Sequence, residues 1–169
     1  DGLIICSEVA KLRKDYRILI NEELIAIDHI RDYLFPLRLD MSKDALKLNI
    51  KSKNDAIEFI NKGGLVIIFP SGEVATSERL FNRAVEKEWK PIIGSIVRKV
   101  DCKILPVYCH GQNSFLFQFT GIINYKLRRI LFARELINKS NKKFNVECGE
   151  LLDSQLFHKL ENSQIAKNL

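Results

Sequence analysis

The sequence predicts an α/β domain in which a mostly parallel or mixed central sheet is flanked by helices. Short apolar, β-branched runs alternate with longer stretches of helical periodicity along its 169 residues, and such alternation is typical of βαβ units. The clearest run, Leu65 to Phe69, ends abruptly in Pro70-Ser71-Gly72-Glu73. A short run bounded by turn residues indicates a buried strand with a polar loop at its end. Because open α/β sheets bind ligands at the carboxyl ends of their strands, this loop is the first candidate site.

The first half of the chain carries, in order, a helix, a strand, a helical stretch, an extended segment and a long helix. These elements are predicted at Leu3–Leu12, Tyr16–Ile20, Leu24–Tyr33, Leu34–Leu37 and Ser42–Ile60. The long helix is predicted from apolar residues that share one helical face. Two alternatives stay open: a short strand over residues 46–50, where apolar residues alternate, or a break near Asn54 into two helices. Gly63-Gly64 supplies the helix stop.

The second half continues the alternation of helices and strands. We expect a helix at Ile92–Val100, a strand at Lys103–Tyr108, a polar loop at His110–Ser114, a mostly helical stretch at Phe115–Glu135 and a final strand at Lys143–Cys148. Pro91 suits the first turn of the helix that follows it. We therefore expect one domain at residues 1–152 and a polar C-terminal helix or tail at residues 153–169.

Composition narrows the classes of function. The 27 basic and 21 acidic residues give a net charge of +6, which indicates either a solvated lysine-rich surface or attraction to an anionic partner. Nucleic acid is not an expected partner, because aromatic-rich binding motifs and Cys/His fingers are missing. The four cysteines are scattered without a C-x-x-C pair, which fits a reducing compartment. We expect no metal site and no membrane-spanning segment. Because the first residue is Asp and not Met, we expect a fragment or a processed product.

The order of the polar motifs resembles the glycerolipid acyltransferase family, whose members acylate glycerol 3-phosphate and lysophosphatidic acid. The family's second, third and fourth blocks are similar to Phe35-Pro36-Leu37-Arg38, Phe69-Pro70-Ser71-Gly72-Glu73 and Ile104-Leu105-Pro106-Val107. Asp1-Gly2-Leu3 is similar to the aspartate end of the first block, whose histidine would lie upstream. The hemolysin-like, or ornithine-lipid-type, branch is the most similar, because its His-Gly-x-Asn-Ser motif is matched by His110–Ser114 and a further segment by Arg134–Lys139.

The resemblance implies a glycerol-3-phosphate acyltransferase-like fold and a specific reaction. A fatty acyl group would move from acyl carrier protein or coenzyme A to a lysophospholipid or similar lipid acceptor, with no bound cofactor. The histidine and aspartate of the first block would supply the general base, so Asp1 is the catalytic candidate in this chain. The candidate substrate-binding residues are Arg38, Ser71, Gly72, Glu73, Arg79, Asn113 and Ser114. His110 is the candidate for a substitute base.

Each candidate also has a structural interpretation. Asp1 suits the positive end of a helix dipole, Ser71 and Glu73 suit the caps of a turn, and single arginines often form surface ion pairs. Asn113 and Ser114 suit a helix cap. Two further functions stay open: a catalytically inactive lipid-binding module of the same fold, and a serine hydrolase using Ser71 and His110. The sequence around Ser71 lacks the G-x-S-x-G motif that places the nucleophile in many serine hydrolases, which argues against the second of these functions.

The stretch from Phe115 to Phe132 has a second interpretation besides an ordinary core helix. Apolar residues share one helical face over residues 123–131, beside Lys126, Arg128 and Arg129. A basic amphipathic surface of this kind docks on an anionic bilayer. Together with a lipid acceptor, it predicts a cytoplasmic protein that is peripheral on the inner membrane face.

Overall fold

The computed structural model describes residues 2–22, 28–38, 40, 42–77, 82–123, 131–139 and 142–169. The chain divides into two compact units. Unit 1 comprises Asp1–Gly72, Glu88–Leu105 and Glu150–Leu169, and unit 2 comprises Glu73–Lys87 and Pro106–Gly149. The predicted helical stretch at Leu24–Tyr33 lies partly outside the described residues, and its described part, Asp28–Tyr33, is a 3-10 helix.

A three-stranded parallel sheet forms the centre of unit 1. Its strands are β1 (Tyr16–Asn21), β2 (Leu34–Leu37) and β3 (Leu65–Ile68), in the spatial order β2-β1-β3. Ile18 of β1 lies opposite Leu34 of β2 and Ile67 of β3. This sheet confirms the α/β class and the two strands predicted at Tyr16–Ile20 and Leu65–Phe69, and the segment predicted as extended at Leu34–Leu37 forms the third strand. The β-branched and aliphatic residues of these strands suit a buried parallel sheet.

Helices cover both faces of this sheet. Helix α1 (Gly2–Leu12) packs Cys6 against the cluster that contains Ile18. On the opposite face, Leu19 packs with residues of α2 (Lys43–Asn61) and α3 (Ile92–Val97). Successive residues of a strand point to opposite faces, so the central strand contributes Ile18 to one layer of core and Leu19 to the other.

Helix α2 is continuous, so the two alternatives for this segment, a strand over residues 46–50 and a break near Asn54, are both wrong. Ser42 caps its start, because the Ser42 hydroxyl accepts a hydrogen bond from the Ala45 N–H at 3.1 Å. Ser52 and Ala56 are buried at 1% and 0% exposure. Small side chains therefore pack in the interior where the sequence of the helix is mostly polar, and the helix continues without a break. Gly63, with φ +86°, ends it as predicted.

The C-terminal segment of the chain belongs to unit 1. Strand β4 (Lys103–Ile104) pairs antiparallel with a strand at Leu152–Asp153, numbered β7 in chain order. A 3-10 turn at Ser154–Phe157 follows, and then helix α6 (Asn162–Asn168). In residues 153–169, for which we expected a polar helix or tail, Ile165 of α6 is fully buried in the core with α3.

Helices α3 and α6 approach closely because Gly94 has no side chain. A Cβ at Gly94 would lie 2.6 Å from Asn162 Cα and would also overlap the carbonyl oxygen of Asn162. The predicted helix at Ile92–Val100 is confirmed, although α3 itself ends at Val97.

Unit 2 contains an antiparallel strand pair and two described helices. Strand β5 (Val107–Cys109) pairs with β6 (Val146–Cys148), and the helices are α4 (Phe115–Ile123) and α5 (Phe132–Lys139). The prediction of one strand over Lys103–Tyr108 is wrong. Pro106 lacks an N–H and interrupts the run, and β4 and β5 pair with different partners. The predicted helical stretch at 115–135 matches α4 and the start of α5, and residues 124–130 lie outside the described part.

Candidate functional site

The carboxyl edge of the parallel sheet gathers most of the described candidate residues of unit 1. Because β1, β2 and β3 run in the same direction, the residues that follow them meet at one edge. Glu22 follows β1, Arg38 follows β2, and Phe69–Gly72 follows β3. Asn21 and Leu37 are register partners, so Glu22 and Arg38 are the next residues on neighbouring strands.

Arg38 and Glu22 form a bidentate ion pair at this edge. Arg38 Nε lies 2.5 Å from Glu22 Oε1, and Arg38 Nη2 lies 2.8 Å from Glu22 Oε2. The side chains are 35% and 28% exposed, so the pair is half-buried. The hydrogen bond to Glu22 is the main cause that raises the pKa of the Arg38 guanidinium, which therefore remains a fixed cation with a defined orientation.

Asn49 of α2 fixes the backbone of Arg38. Its side-chain oxygen accepts a hydrogen bond from the Arg38 N–H at 2.8 Å, and its amide nitrogen donates to the Arg38 carbonyl oxygen at 2.8 Å. Sequence reasoning missed both Asn49 and Glu22. The available signals were an asparagine in the middle of a long helix, where its propensity is poor, and an acidic residue directly after a strand.

The segment Phe69–Gly72 forms a tight turn. The Gly72 N–H donates to the Phe69 carbonyl oxygen at 2.9 Å, with Pro70 at the second position, where its fixed φ suits a turn. Gly72 has φ +69°, which explains why glycine stands there. Ser71 is only 1% exposed. A serine nucleophile must reach its substrate, so this burial favours a structural role for Ser71 over the hydrolase interpretation.

The start of α1 packs directly on this turn. A Cβ at Gly2 would lie 2.8 Å from Phe69 Cζ, so the backbone of Gly2 rests against the Phe69 ring. The segment that resembles the end of the family's first block thus lies beside the segment that resembles its third block. The candidate residues Asp1 and Arg79 themselves lie outside the described residues.

The remaining candidates belong to unit 2 and have structural partners there. Glu73 forms an ion pair with Lys87. His110 Nε2 lies 3.0 Å from Glu147 Oε2, and the His110 N–H donates to the Asn145 carbonyl oxygen at 2.9 Å. These contacts hold His110 beside β6, as is typical of a histidine that is hydrogen-bonded in a turn and has a structural role.

Asn113 and Ser114 contact helix α5. Ser114 donates from its N–H to Glu135 Oε2 at 2.9 Å and from its hydroxyl to the other carboxylate oxygen. Glu135 is 4% exposed, and Lys139 Nζ donates to Asn113 Oδ1 at 2.6 Å. Burial lowers the pKa of Lys139. Ser114 precedes α4, and its carbonyl oxygen accepts from the Gln118 N–H at 3.0 Å, as a cap residue does.

A cavity of about 520 Å³ adjoins this cluster. It is lined by Gln112, Ser114, Glu135, Asn138, Lys139, Lys142 and Phe144. The segment Arg134–Lys139 therefore supplies Glu135, which is buried, and Lys139, which is partly buried, as hydrogen-bond partners of Ser114 and Asn113.

All four cysteines are free thiols. Burial raises the pKa of the thiols of Cys6, Cys102 and Cys109, so these groups are poor nucleophiles near neutral pH.

Among the described residues, no group of three or more His, Cys, Asp or Glu side chains is arranged to hold a metal ion. No helix in the described ranges is both long and apolar enough to cross a bilayer.

Comparisons of the chain with protein-family models, with curated proteins and with solved structures gave no significant match. The chemistry of the carboxyl edge, together with the order of the motifs, is therefore the basis on which a function is proposed.

Proposed function

We propose that the protein is an acyltransferase of the glycerolipid type, with a glycerol-3-phosphate acyltransferase-like fold. It moves a fatty acyl group from acyl carrier protein or coenzyme A to a lysophospholipid or similar lipid acceptor and uses no bound cofactor. One observation supports this proposal most strongly. Gly2, Arg38 and the Phe69–Gly72 turn, which come from three separate motifs, lie at the same edge of a parallel sheet.

The reaction joins an acceptor oxygen or nitrogen to a thioester carbon. The new acyl bond forms as the carbon–sulfur bond breaks. The acceptor's proton passes to a histidine base and from there to the departing thiolate. In the proposed mechanism, Asp1 orients that histidine, which would lie upstream of this chain. The acceptor attacks directly, without an acyl-enzyme, and the burial of Ser71 agrees with the lack of a serine nucleophile.

Arg38 is the residue proposed to hold the anionic headgroup of the acceptor. Asn49 fixes its backbone and Glu22 fixes its guanidinium, so little side-chain entropy is lost when a phosphate binds. Gly72 allows the backbone of the turn to approach the same headgroup closely. The proposed setting is cytoplasmic and peripheral on the inner membrane face, where the net charge of +6 attracts anionic lipid and an acidic carrier protein.

The direct test is an acyl-transfer assay on the protein expressed from its complete reading frame. Radiolabelled acyl-coenzyme A and acyl carrier protein are offered separately with lysophosphatidic acid, lysophosphatidylglycerol or lyso-ornithine lipid, and the products are separated by thin-layer chromatography. We expect labelled diacyl lipid from at least one combination. Lysolipid binding without transfer in any combination would contradict the enzymatic proposal and indicate a lipid-binding module.

Arg38→Gln is expected to raise the KM for the lysolipid by about tenfold or more, because a charge-assisted hydrogen bond is lost. Arg13→Gln is the matched control. Arg13 also forms a bidentate ion pair, with Asp15 at the amino edge of the same sheet, so its loss should leave the KM unchanged. Glu22→Gln should change the KM much less than Arg38→Gln. Equal effects of the Arg38 and Arg13 variants would contradict headgroup binding by Arg38.

A further inference from the structure

Helix α4 presents an entirely apolar face to solvent. Five of its nine residues are exposed. These are Phe115, Leu116, Phe119, Ile122 and Ile123, at 53%, 42%, 37%, 43% and 61% exposure. At 100° per residue they fall within one sector of the helix, and we call them the outer face of α4. Exposed large apolar residues that are contiguous on one element mark an interaction surface.

The opposite face of α4 holds the helix in unit 2. Phe117 is fully buried. Gln118 is 4% exposed, and its side-chain oxygen accepts a hydrogen bond from the Ser77 N–H at 3.0 Å. A buried glutamine with a backbone partner is costly to turn outward. The buried Gln118 is therefore anchored, and rotation of the helix to hide its apolar residues is opposed.

The sequence that follows α4 is basic, and the stretch from α4 to Arg134 lacks acidic residues. From Ser114 to Arg134 the chain contains no Asp or Glu and four basic residues, which are Lys126, Arg128, Arg129 and Arg134. Phenylalanine, leucine and isoleucine beside basic residues are the composition of helices that lie in the interface of an anionic bilayer. A protein partner would usually also meet hydrogen-bonding groups, and the outer face of α4 offers none.

We propose that the outer face of α4 inserts into the interfacial region of an anionic lipid bilayer and holds the protein at the membrane surface. A helix of nine residues is about 14 Å long, so it lies in the plane of the interface and does not cross the bilayer. This inference rests on the proposed function in one respect: the protein needs a membrane contact because its proposed lipid acceptor stays in the membrane. The test of membrane binding does not depend on the reaction.

The test is cosedimentation of the full-length protein with vesicles, without donor or acceptor. Vesicles of phosphatidylglycerol and phosphatidylcholine in equal parts are compared with vesicles of phosphatidylcholine alone. We expect tighter binding to the anionic vesicles, weakened by salt. The double variant Phe115→Ser/Phe119→Ser should reduce the partition coefficient about tenfold or more, because it removes two aromatic side chains that the lipid buries when the protein binds.

The matched control replaces two large apolar residues that are more exposed than Phe115 and Phe119 and lie elsewhere in the chain. Leu12 and Leu46 are 85% and 62% exposed in unit 1, so Leu12→Ser/Leu46→Ser should leave vesicle binding unchanged. Both double variants are checked for native circular dichroism. Equal losses of binding in the two double variants would overturn the proposal, because they would show that generic surface hydrophobicity causes binding.

A second readout reports the depth of the helix. In the Ile122→Trp variant, brominated lipids should quench the added fluorescence, while Trp89, the single native tryptophan, serves as the reference. Lack of quenching in vesicle-bound protein would overturn insertion of α4. If Phe115→Ser/Phe119→Ser instead converts a dimer to a monomer in analytical ultracentrifugation and leaves vesicle binding intact, the outer face is a self-interface and the proposal is wrong. Vesicle binding through α4 without any acyl transfer would contradict only the proposed reaction.

Discussion

Gly72 and Gly63 both adopt a left-handed backbone conformation, yet they serve different parts of the molecule. Gly72, with φ +69°, closes the turn at the carboxyl edge of the sheet. Gly63, with φ +86°, ends α2 before β3 begins, at the amino edge. A Cβ at Gly63 would meet nothing within 4 Å. A side chain added at either glycine therefore has a similar conformational cost, but only one added at Gly72 can also disturb the candidate site.

Gly72→Ala is expected to lower the free energy of unfolding by about 1 kcal/mol, because an L-residue at positive φ is strained. Gly63→Ala should cost a similar amount for the same reason. Urea denaturation measures both. Only Gly72→Ala should also impair acyl transfer, since only this turn lies at the candidate site. Equal acyl-transfer activity of the two variants would show that the Phe69–Gly72 turn does not contribute to the reaction.

At the scale of elements, the antiparallel pair of β4 and β7 carries an ion pair that titrates. Lys103 and Asp153 are register partners, and Lys103 Nζ lies 2.7 Å from Asp153 Oδ2. This hydrogen bond is the main cause that lowers the pKa of Asp153 below its ordinary value of 3.8, with a smaller contribution from the Gln155 N–H. A carboxyl whose folded pKa is depressed adds stability above its unfolded pKa and loses it as the pH falls through the folded pKa.

Lys103→Met should therefore raise the pKa of Asp153 towards its ordinary value. It should also remove the part of the stability that the protein loses as the pH falls through the folded pKa of Asp153, so the stability of the variant should depend less steeply on pH in the acid range. Carboxyl NMR titration of Asp153 measures the first effect, and denaturation as a function of pH measures the second. Lys11→Met removes another exposed pair, with Glu8, and should leave Asp153 unchanged. An unaltered Asp153 titration in Lys103→Met would show that the ion pair does not form in solution.

Elements with strong local signals were predictable from the sequence, and those that depend on distant partners were not. The helix Lys43–Asn61 and the strand Leu65–Ile68 follow from periodicity and from glycine at the boundary. The run Lys103–Tyr108 was wrongly predicted as one strand. Its division depends on Leu152–Asp153 and Val146–Cys148, which pair with its two halves from more than 35 residues away.

The same distinction holds for the candidate site. The position of Arg38 and Gly72 after two strands was predictable, because a basic residue and a glycine that follow apolar runs are visible in the sequence. Glu22 and Asn49 were not, since their contacts with Arg38 follow from strand register and from the rotation of α2. Periodicity does not specify which residue of a neighbouring element faces a given side chain.

At the scale of the whole molecule, the core of unit 1 includes the end of the chain. Ile165 of α6 is fully buried with Ile93, Val97 and Phe157. Ile165→Ala should lower the free energy of unfolding by about 2 to 4 kcal/mol, as expected for a buried large-to-small substitution. Thermal or urea denaturation measures the loss. Leu156→Ala, at a residue 68% exposed, should change stability by less than about 0.5 kcal/mol. Equal effects would contradict the packing of residues 153–169 in the core.

The discontinuity of unit 1 has a consequence during synthesis on the ribosome. The segments that form unit 2, Glu73–Lys87 and Pro106–Gly149, emerge before Glu150–Leu169, the last piece of unit 1. The parallel sheet can assemble from residues 1–72, but the contacts of α3 with α6 require Asn162–Asn168 to leave the exit tunnel. Until they do, the apolar surface of Ile93 and Val97 lacks its cover, and the nascent chain is open to chaperone binding at that surface.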